Sequence, residues 1–244
     1  VLMAMYNTGL QANLALDPAK AAGLTGWRHD VLRALGVGYS PASIVACTVH
    51  GALYFLPLYI VTMVVGLSWE VLFAVVRRVE VNEGFFVTGL LFPLILPPET
   101  PLWQAALGIS FGVVLAKEVY GGTGMNFVNP ALAARAFVFF AYPADMSGDR
   151  VWTAMDPALA VDGFSGATAL AQLRQATGPF SELDMSWWTA FVGLEPGSMG
   201  ETSALACLIG AVVLIVTGIG SWRTMAAVTL GTIGMATTFN LIGS

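Results

Sequence analysis

The sequence has 244 residues, of which 57% are hydrophobic and 10% are charged, and its formal net charge is −5 at pH 7. A soluble domain has roughly a quarter of its residues charged, so this composition excludes a soluble globular protein and indicates an integral membrane protein. Its Lys and Arg residues form no long basic run, which excludes a nucleic-acid partner.

The chain begins within an apolar segment, Val1 to Met5, and stops at Ser244 at the end of another. These ends predict an internal portion of a longer protein with no signal peptide to read. Cys47 and Cys207 each lie inside an apolar run. We therefore expect packing or lipid-facing roles for them rather than a disulfide or a metal site.

Four apolar runs are long enough to cross a bilayer, whose hydrocarbon core needs about 20 residues of α-helix. In chain order they cover Ile44 to Val76, Leu102 to Tyr120, Ser203 to Ile219 and Thr224 to Ile242. The first exceeds one span, and its end, SWEVLFAVVRR, is expected to turn into the membrane interface. The sequence thus predicts an all-α, polytopic membrane protein whose residues 1–244 form a single membrane domain.

Two further apolar runs are shorter and contain proline: Gly84 to Pro98, and Asn129 to Pro143. Irregular backbone at membrane depth is tolerated only where it is buried in protein or lines a cavity, and paired interrupted segments often mark a transport site. We predict a helical bundle with broken or half-length helices here. Two ordinary short spans that end in proline are the alternative.

Basic residues in short connections predict which side of the membrane is cytoplasmic. If both short segments cross, that side carries four of them: Arg77, Arg78, Lys117 and Arg223. The other side then carries a loop before Ile44 and a longer loop, residues 143–202. The longer loop holds an unusually small and polar stretch, DGFSGATAL, residues 162–170.

Within this stretch, GFSGA approaches the G-x-S-x-G pattern of a serine nucleophile but has alanine at its last position. The two histidines, His29 and His50, lie far from Ser165 in the sequence, so a hydrolase is disfavoured. A plain turn-forming loop is the simplest interpretation of these residue types. The hydroxyl of Thr168, flanked by small side chains, suits covalent modification by another enzyme.

The stretch Asp-Gly-x-Ser-Gly-Ala-Thr, residues 162–168, resembles the flavinylation motif of a known family. That family comprises the B subunit of the sodium-pumping NADH:quinone oxidoreductase and the D subunit of the Rnf electron-transport complex. Residues 69–144, which include NEGFF, and residues 196–211 are similar to the B subunit nearly throughout, which favours it over the Rnf relative. Residues 11–39 and 156–184 are the least alike.

The resemblance implies a urea-transporter-like fold of inverted repeats in a bacterial inner membrane, with residues 143–202 on the periplasmic side. It also implies that a flavin transferase links FMN through its phosphate to Thr168, beside Asp162, Ser165 and Gly166. Electrons then pass from the C subunit through this FMN and a non-covalent riboflavin to ubiquinone, coupled to Na⁺ transport. The A, C, D, E and F subunits are the expected partners. NADH is oxidised elsewhere, because no G-x-G-x-x-G motif follows a strand here.

The segment GGTGMNFVNPA, residues 121–131, holds two amides, Asn126 and Asn129, whose side chains both donate and accept hydrogen bonds. Such groups suit the edge of the riboflavin ring. The alternative is structural: Asn129 caps the helix that Pro130 opens, and Asn126 satisfies the interrupted backbone. The two interpretations are compatible.

The segment EVNEGFF supplies residues that resemble the family's quinone site, namely Gly84, Phe85 and Phe86, although aromatic residues are also ordinary interfacial anchors. Glu70 is a candidate for the sodium path, since an ionisable group near membrane depth is a functional candidate. The alternative is that Glu70 is structural, either paired with Arg77 or simply hydrated. Lys117 and Glu118 are predicted to be snorkelling boundary residues. The two broken helices alone would equally suit a channel or transporter with no redox role.

Overall fold

A computed structural model describes residues 1–155, 157–168, 170–172, 186–200 and 202–243. Contacts divide the chain into two compact units, residues 1–203 and residues 204–244. Across these described residues the secondary structure is helical, with one isolated antiparallel bridge between Leu16 and Ala160. The predicted all-α class is therefore confirmed, while the inverted-repeat topology and the single membrane domain stay predictions.

The first unit contains α1 (Leu2–Ala15), α2 (Trp27–Ala34), α3 (Ile44–Arg77), α4 (Phe85–Leu94), α5 (Leu102–Ala116), α6 (Pro130–Ala141), α7 (Pro143–Met146) and α8 (Trp187–Val192). Short 3₁₀ turns lie at Pro18–Gly23, Glu118–Tyr120 and Pro157–Leu159. The second unit contains α9 (Ala204–Val216) and α10 (Trp222–Gly243). Among the residues described, three helical segments are long and apolar enough to cross a membrane: Ile44–Arg77, Leu102–Tyr120 and Trp222–Ile242.

Helix α3 runs unbroken for 34 residues, about 51 Å at 1.5 Å per residue. The segment SWEVLFAVVRR continues this helix to Arg77, and its location at the membrane interface stays a prediction. This segment contains neither glycine nor proline, so nothing in it stops the helix before Arg78, which adopts a left-handed conformation with φ of 57°. One continuous helix accordingly carries both Glu70 and Arg77.

Helices α4 and α6 have 10 and 12 residues, as the prediction of half-length helices requires. The predicted long span from Ser203 to Ile219 is not borne out, because α9 has only 13 residues, about 20 Å in length. It ends before Gly218, whose φ of 73° lies in the left-handed region that glycine tolerates.

Helix α1 extends beyond the expected apolar segment Val1 to Met5 as far as Ala15, within the part before Ile44 where the sequence predicted a loop. It lies antiparallel to α3, and the two backbones touch where Gly9 faces Cys47 and Gly51 faces Met5. A Cβ atom at either glycine would collide with a carbonyl of the other helix. Small residues that let backbones approach this closely are typical of helix packing in membranes.

Helices α3 to α6 alternate in direction, so the first unit has two distinct ends. Helices α3 and α5 run parallel, since the Trp69 Nε1 donates to Ser110 Oγ at 2.9 Å and Arg77 reaches Glu118. Helix α6 runs antiparallel to α5, with Gly112 against Pro130. We call the end with Arg77 and Glu118 the charged end.

The opposite end, which we call the loop end, joins the chain before Ile44 to the long loop. The Asp17 N–H donates to Leu159 O at 3.1 Å, and the Val161 N–H donates to Ala15 O at 2.9 Å. Asn7 Nδ2 also donates to Glu195 O at 2.8 Å. Both predicted non-cytoplasmic loops therefore meet at one end, with the basic residues Arg77 and Lys117 at the other.

Candidate functional site

Thr168 lines an open cavity of about 760 Å³ at the loop end. This volume lies within the roughly 300–1,000 Å³ typical of small-molecule sites. We define the Thr168 cavity by six of its lining residues: Arg135, Phe139, Met146, Trp152, Thr168 and Glu195. An apolar, partly aromatic wall thus faces a few polar groups, as in sites that hold a flat organic ligand.

The backbone around Thr168 presents its hydroxyl at the start of a helical turn. The Ala171 N–H donates to Thr168 Oγ1 at 3.3 Å, and the Gln172 N–H donates to Thr168 O at 2.9 Å. Gln172 Nε2 adds a bond to Ala167 O at 3.1 Å. This is N-cap geometry, in which backbone N–H groups point towards the capping side chain and favour negative charge there.

The other motif residues shape the turn that leads to Thr168. Gly166 has φ of 65°, and a Cβ atom there would lie 2.9 Å from Asp149 O. Both its backbone conformation and the lack of space for a side chain therefore favour glycine. Ser165 is exposed, and its Oγ accepts the Ala167 N–H at 3.4 Å. The Asp162 side chain is fully exposed, with Oδ1 at 3.7 Å from Lys20 Nζ. Ser165 thus takes part in the turn, whereas Asp162 faces Lys20 at the surface.

Two ionisable side chains of the Thr168 cavity have no oppositely charged partner within the part of the chain that the structure describes. Arg135 donates its Nε–H to Ile95 O at 2.8 Å. Among the described residues, no carboxylate oxygen lies within 4.0 Å of its guanidinium. Glu195 Oε2 is buried with no hydrogen-bond partner in the same part of the chain, and burial raises the pKa of this carboxyl above its usual value.

The structural interpretation of the two amides is confirmed. Asn129 Oδ1 accepts the N–H groups of Ala131 and Leu132 at 2.9 and 3.3 Å, which caps α6. Asn126 accepts the Gly124 N–H at 3.3 Å and donates to Val128 O at 2.8 Å. Contact of either amide with riboflavin stays a prediction.

The three candidates for the quinone site point in different directions. Phe85 is 0% exposed and packs against Gly66 and Gly89 in the core, whereas Phe86 is 54% exposed. Gly84 lies just before α4, where its N–H donates to Asn82 Oδ1 at 2.8 Å. Phe85 is therefore a core residue, and contact of Gly84 and Phe86 with a quinone stays a prediction.

Glu70 belongs to a network of four charges at the charged end, of which Glu70, Lys117 and Glu118 are buried and Arg77 is exposed. Lys117 Nζ donates to Glu70 Oε1 at 2.5 Å and lies 3.9 Å from Glu118 Oε1. Arg77 Nη1 donates to Glu118 Oε2 at 2.7 Å, and its Nη2 also donates to the Glu118 carbonyl. Glu70 is thus paired, as its alternative interpretation held, but with Lys117 rather than Arg77.

The prediction that Lys117 and Glu118 snorkel at the boundary is wrong, because their side chains are 4% and 6% exposed. Two acids and two bases neutralise one another there, which removes the need to reach water. Sequence periodicity on α5 alone could not reveal this, since the partners Glu70 and Arg77 come from α3.

The polar face of α1 was also missed. Asn13 Oδ1 lies 2.8 Å from Nδ1 of the fully buried His50, and Gln11 Nε2 donates to Asn7 Oδ1 at 3.3 Å. The spacing of Asn7 and Gln11, four residues apart in an apolar segment, was a signal for one helical face. Neither His50 nor His29 is among the lining residues of the Thr168 cavity, so the hydrolase interpretation gains no base.

Comparison with known proteins places the chain in a family. The model described as the NQR2, RnfD, RnfE family matches residues 1–244. The chain belongs to this family. The resemblance to the B subunit, rather than to the Rnf relative, is likewise confirmed by the individual family members that it matches.

Three of these relatives are named as the B subunit of a Na(+)-translocating NADH-quinone reductase. The protein from Pseudomonas paraeruginosa is 58% identical over 244 residues, which cover 98% of this chain and 59% of the relative. That from Azotobacter vinelandii is 57% identical over 244 residues, with the same coverage. That from Chromohalobacter salexigens is 56% identical over 240 residues, covering 98% and 57%. The chain therefore spans a little over half the length of these relatives.

Proposed function

We propose that this chain is part of the B subunit of a Na⁺-translocating NADH-quinone reductase, and that Thr168 carries FMN through a phosphate ester. The relatives' names support the assignment of the subunit. The observation that carries the attachment is the position of Thr168, whose half-buried hydroxyl opens on a cavity large enough for a drug-sized ligand. FMN would supply reversible electron transfer there, while the protein supplies position and electrostatics.

The lining of the Thr168 cavity fits such a group. Phe139 and Trp152 provide aromatic surface for a planar ring system, and Met146 adds a polarisable side chain. The N–H groups at the start of the turn after Thr168 favour the negative charge of a phosphate ester. Gly166 holds the turn so that Thr168 lines the cavity while Ser165 stays exposed.

Within the whole subunit, we propose that electrons reach this FMN from the C subunit and leave through riboflavin to ubiquinone. Asn126 and Asn129 are candidates for riboflavin, and Gly84 with Phe86 for the quinone head group. The A, C, D, E and F subunits and a flavin transferase are the proposed partners. The proposed location is the bacterial inner membrane, with the loop end on the periplasmic side.

We propose Glu70 for the sodium path on the condition that Lys117 first moves away from it. Lys117 Nζ, at 2.5 Å from Glu70 Oε1, occupies the position that a cation would take. Sodium can bind this carboxylate only when Lys117 turns away towards Glu118, 3.9 Å from it. The variant E70Q should therefore weaken the sodium dependence of quinone reduction, and an unchanged dependence would leave Glu70 purely structural.

In-gel fluorescence under ultraviolet light tests the attachment site. The full-length subunit, co-expressed with a flavin transferase, should give a fluorescent band that disappears in T168V. S165A is the matched control, because it removes the other hydroxyl of the motif and keeps Thr168. A fluorescent band should remain, and its yield reports how far the turn needs the hydrogen bond that Ser165 Oγ accepts from the Ala167 N–H. A fluorescent T168V band would exclude Thr168, and a wild type without fluorescence would favour a non-redox channel or transporter.

A further inference from the structure

Arg135 is a charged residue in a costly position. It lies in the second turn of the apolar helix α6, and its side chain is half-buried. A cation within a membrane segment is expensive and pairs with carbonyls or with an opposite charge. Its Nε–H bond to Ile95 O satisfies one donor but neutralises no charge.

The position of this guanidinium is fixed by the end of α4. Ile95 O and Leu94 O are carbonyls that the last turn of a helix leaves without an intrahelical partner. Arg135 Nε bonds the first at 2.8 Å, and the Gly200 N–H bonds the second at 2.8 Å. Arg135 is therefore held against the protein by its Nε while its side chain lines the Thr168 cavity.

We propose that Arg135 is the counter-ion of the phosphate ester that joins FMN to Thr168; this inference rests on the proposed function. A phosphate esterified on both sides carries one negative charge and two free oxygens. A guanidinium has five N–H donors, of which Ile95 uses one, so four remain on the two Nη atoms. Arg binds such oxygens in bidentate fashion.

The other charged groups of the Thr168 cavity are consistent with this assignment. Asp149 and Glu195 also line it, and neither lies within 4.0 Å of the guanidinium, so neither replaces a phosphate there. Burial raises the pKa of Glu195, so its carboxyl takes up a proton more readily and repels an anion less. Arg135 is thus the basic residue of the described lining.

Two substitutions separate the charge of Arg135 from its bond to Ile95. R135Q keeps a side-chain N–H donor but removes the charge, whereas R135K keeps the charge. The full-length subunit would be expressed with a flavin transferase, and T168V would give the baseline for non-covalent flavin. The readouts are covalent flavin per protein, the fluorescence anisotropy of the attached flavin, and its midpoint potential.

We expect R135Q to lose covalent flavin or, where flavin is attached, to show lower anisotropy and a more negative potential. The potential should fall because removal of a nearby positive charge disfavours the added electrons. R135K should restore most of the difference. The role of Arg135 is overturned if R135Q matches a flavinylated wild type, or if R135K is as defective as R135Q. A wild type without covalent flavin would overturn the attachment itself.

Discussion

The charged end and the loop end of the first unit both bury ionisable side chains, but they treat them differently. At the charged end, Glu70, Lys117, Glu118 and Arg77 form an unbroken series of ion pairs, each within 4.0 Å of the next. At the loop end, Arg135 has a carbonyl as its partner, and Glu195 keeps one buried oxygen unbonded within the described chain. We call the charged end closed, because each of its charges has an oppositely charged partner, and the loop end open, because Arg135 and Glu195 have none among the described residues.

This difference indicates that the loop end, rather than the charged end, needs a ligand to neutralise its charges. A paired network already satisfies its own charges, so removing one member leaves another buried and unpaired, and the fold suffers first. An open set costs stability in the absence of a ligand and recovers it when a complementary group binds. The comparison therefore predicts large stability effects at the charged end and effects on bound flavin at the loop end.

The largest expected effect is that of E70A, which leaves the buried Lys117 with Glu118, at 3.9 Å, as its remaining carboxylate, and Glu118 is already paired with Arg77. Breaking a buried ion pair by removing one partner costs about 3–5 kcal/mol. Denaturant unfolding of the subunit in detergent should show this loss. E83A, which removes an exposed carboxylate nearby, should change stability by less than about 0.5 kcal/mol.

The double variant E70A/K117A sharpens the same test. If Glu70 and Lys117 stabilise the fold mainly by pairing with each other, the double variant should regain part of the unfolding free energy that E70A loses. A double-mutant cycle gives the coupling between them. An E70A protein as stable as the wild type would mean that Lys117 is satisfied by Glu118 or by water, and the charged end would no longer be closed.

A smaller effect is expected from G166A at the loop end. Non-glycine residues at positive φ cost about 1–3 kcal/mol, and here the new Cβ would also lie 2.9 Å from Asp149 O. G163A is the matched control, because Gly163 has φ of 80° but no heavy atom within 4 Å of a Cβ. G166A should therefore lower the yield of flavin on Thr168 more than G163A does. Equal yields would show that the turn does not position Thr168.

The sequence was a good guide to what depends on local chemistry. Asn129 followed by Pro130 predicts a helix start because the cap and the proline are neighbours, and α6 begins there. The prolines within the short runs likewise predicted the half-length α4 and α6. Thr168 stood out through its small flanking residues and through the resemblance of residues 162–168 to a known motif.

Features that depend on distant partners could not be obtained this way. Arg135 is an ordinary residue of an apolar helix until the fold brings Ile95 beside it and places Thr168 in the lining of the same cavity. Lys117 and Glu118 suggest a boundary until α3 supplies Glu70 and Arg77. Helix α1 was hidden because its amides lower its hydropathy, yet Asn7, one of those amides, binds the long loop at Glu195.

The smallest expected effect is the pH dependence contributed by Glu195. Because burial raises the pKa of this carboxyl above 4.5 in the folded protein, the native state holds a proton that the unfolded state releases. The resulting stability is fully present below pH 4.5 and is lost as the pH rises through the folded pKa. E195Q should remove this component. Between about pH 4 and pH 8, the melting temperature should therefore fall less in E195Q than in the wild type.

The opposite slope would be equally informative. If the wild type gained stability as the pH rose, and E195Q abolished the gain, the ionised Glu195 would have to be the favoured form in the fold. Its natural partner would then be Arg135 across the Thr168 cavity, which both residues line. The loop end would in that case be closed by an internal ion pair like the charged end, and a phosphate ester would have to displace a carboxylate to reach the guanidinium.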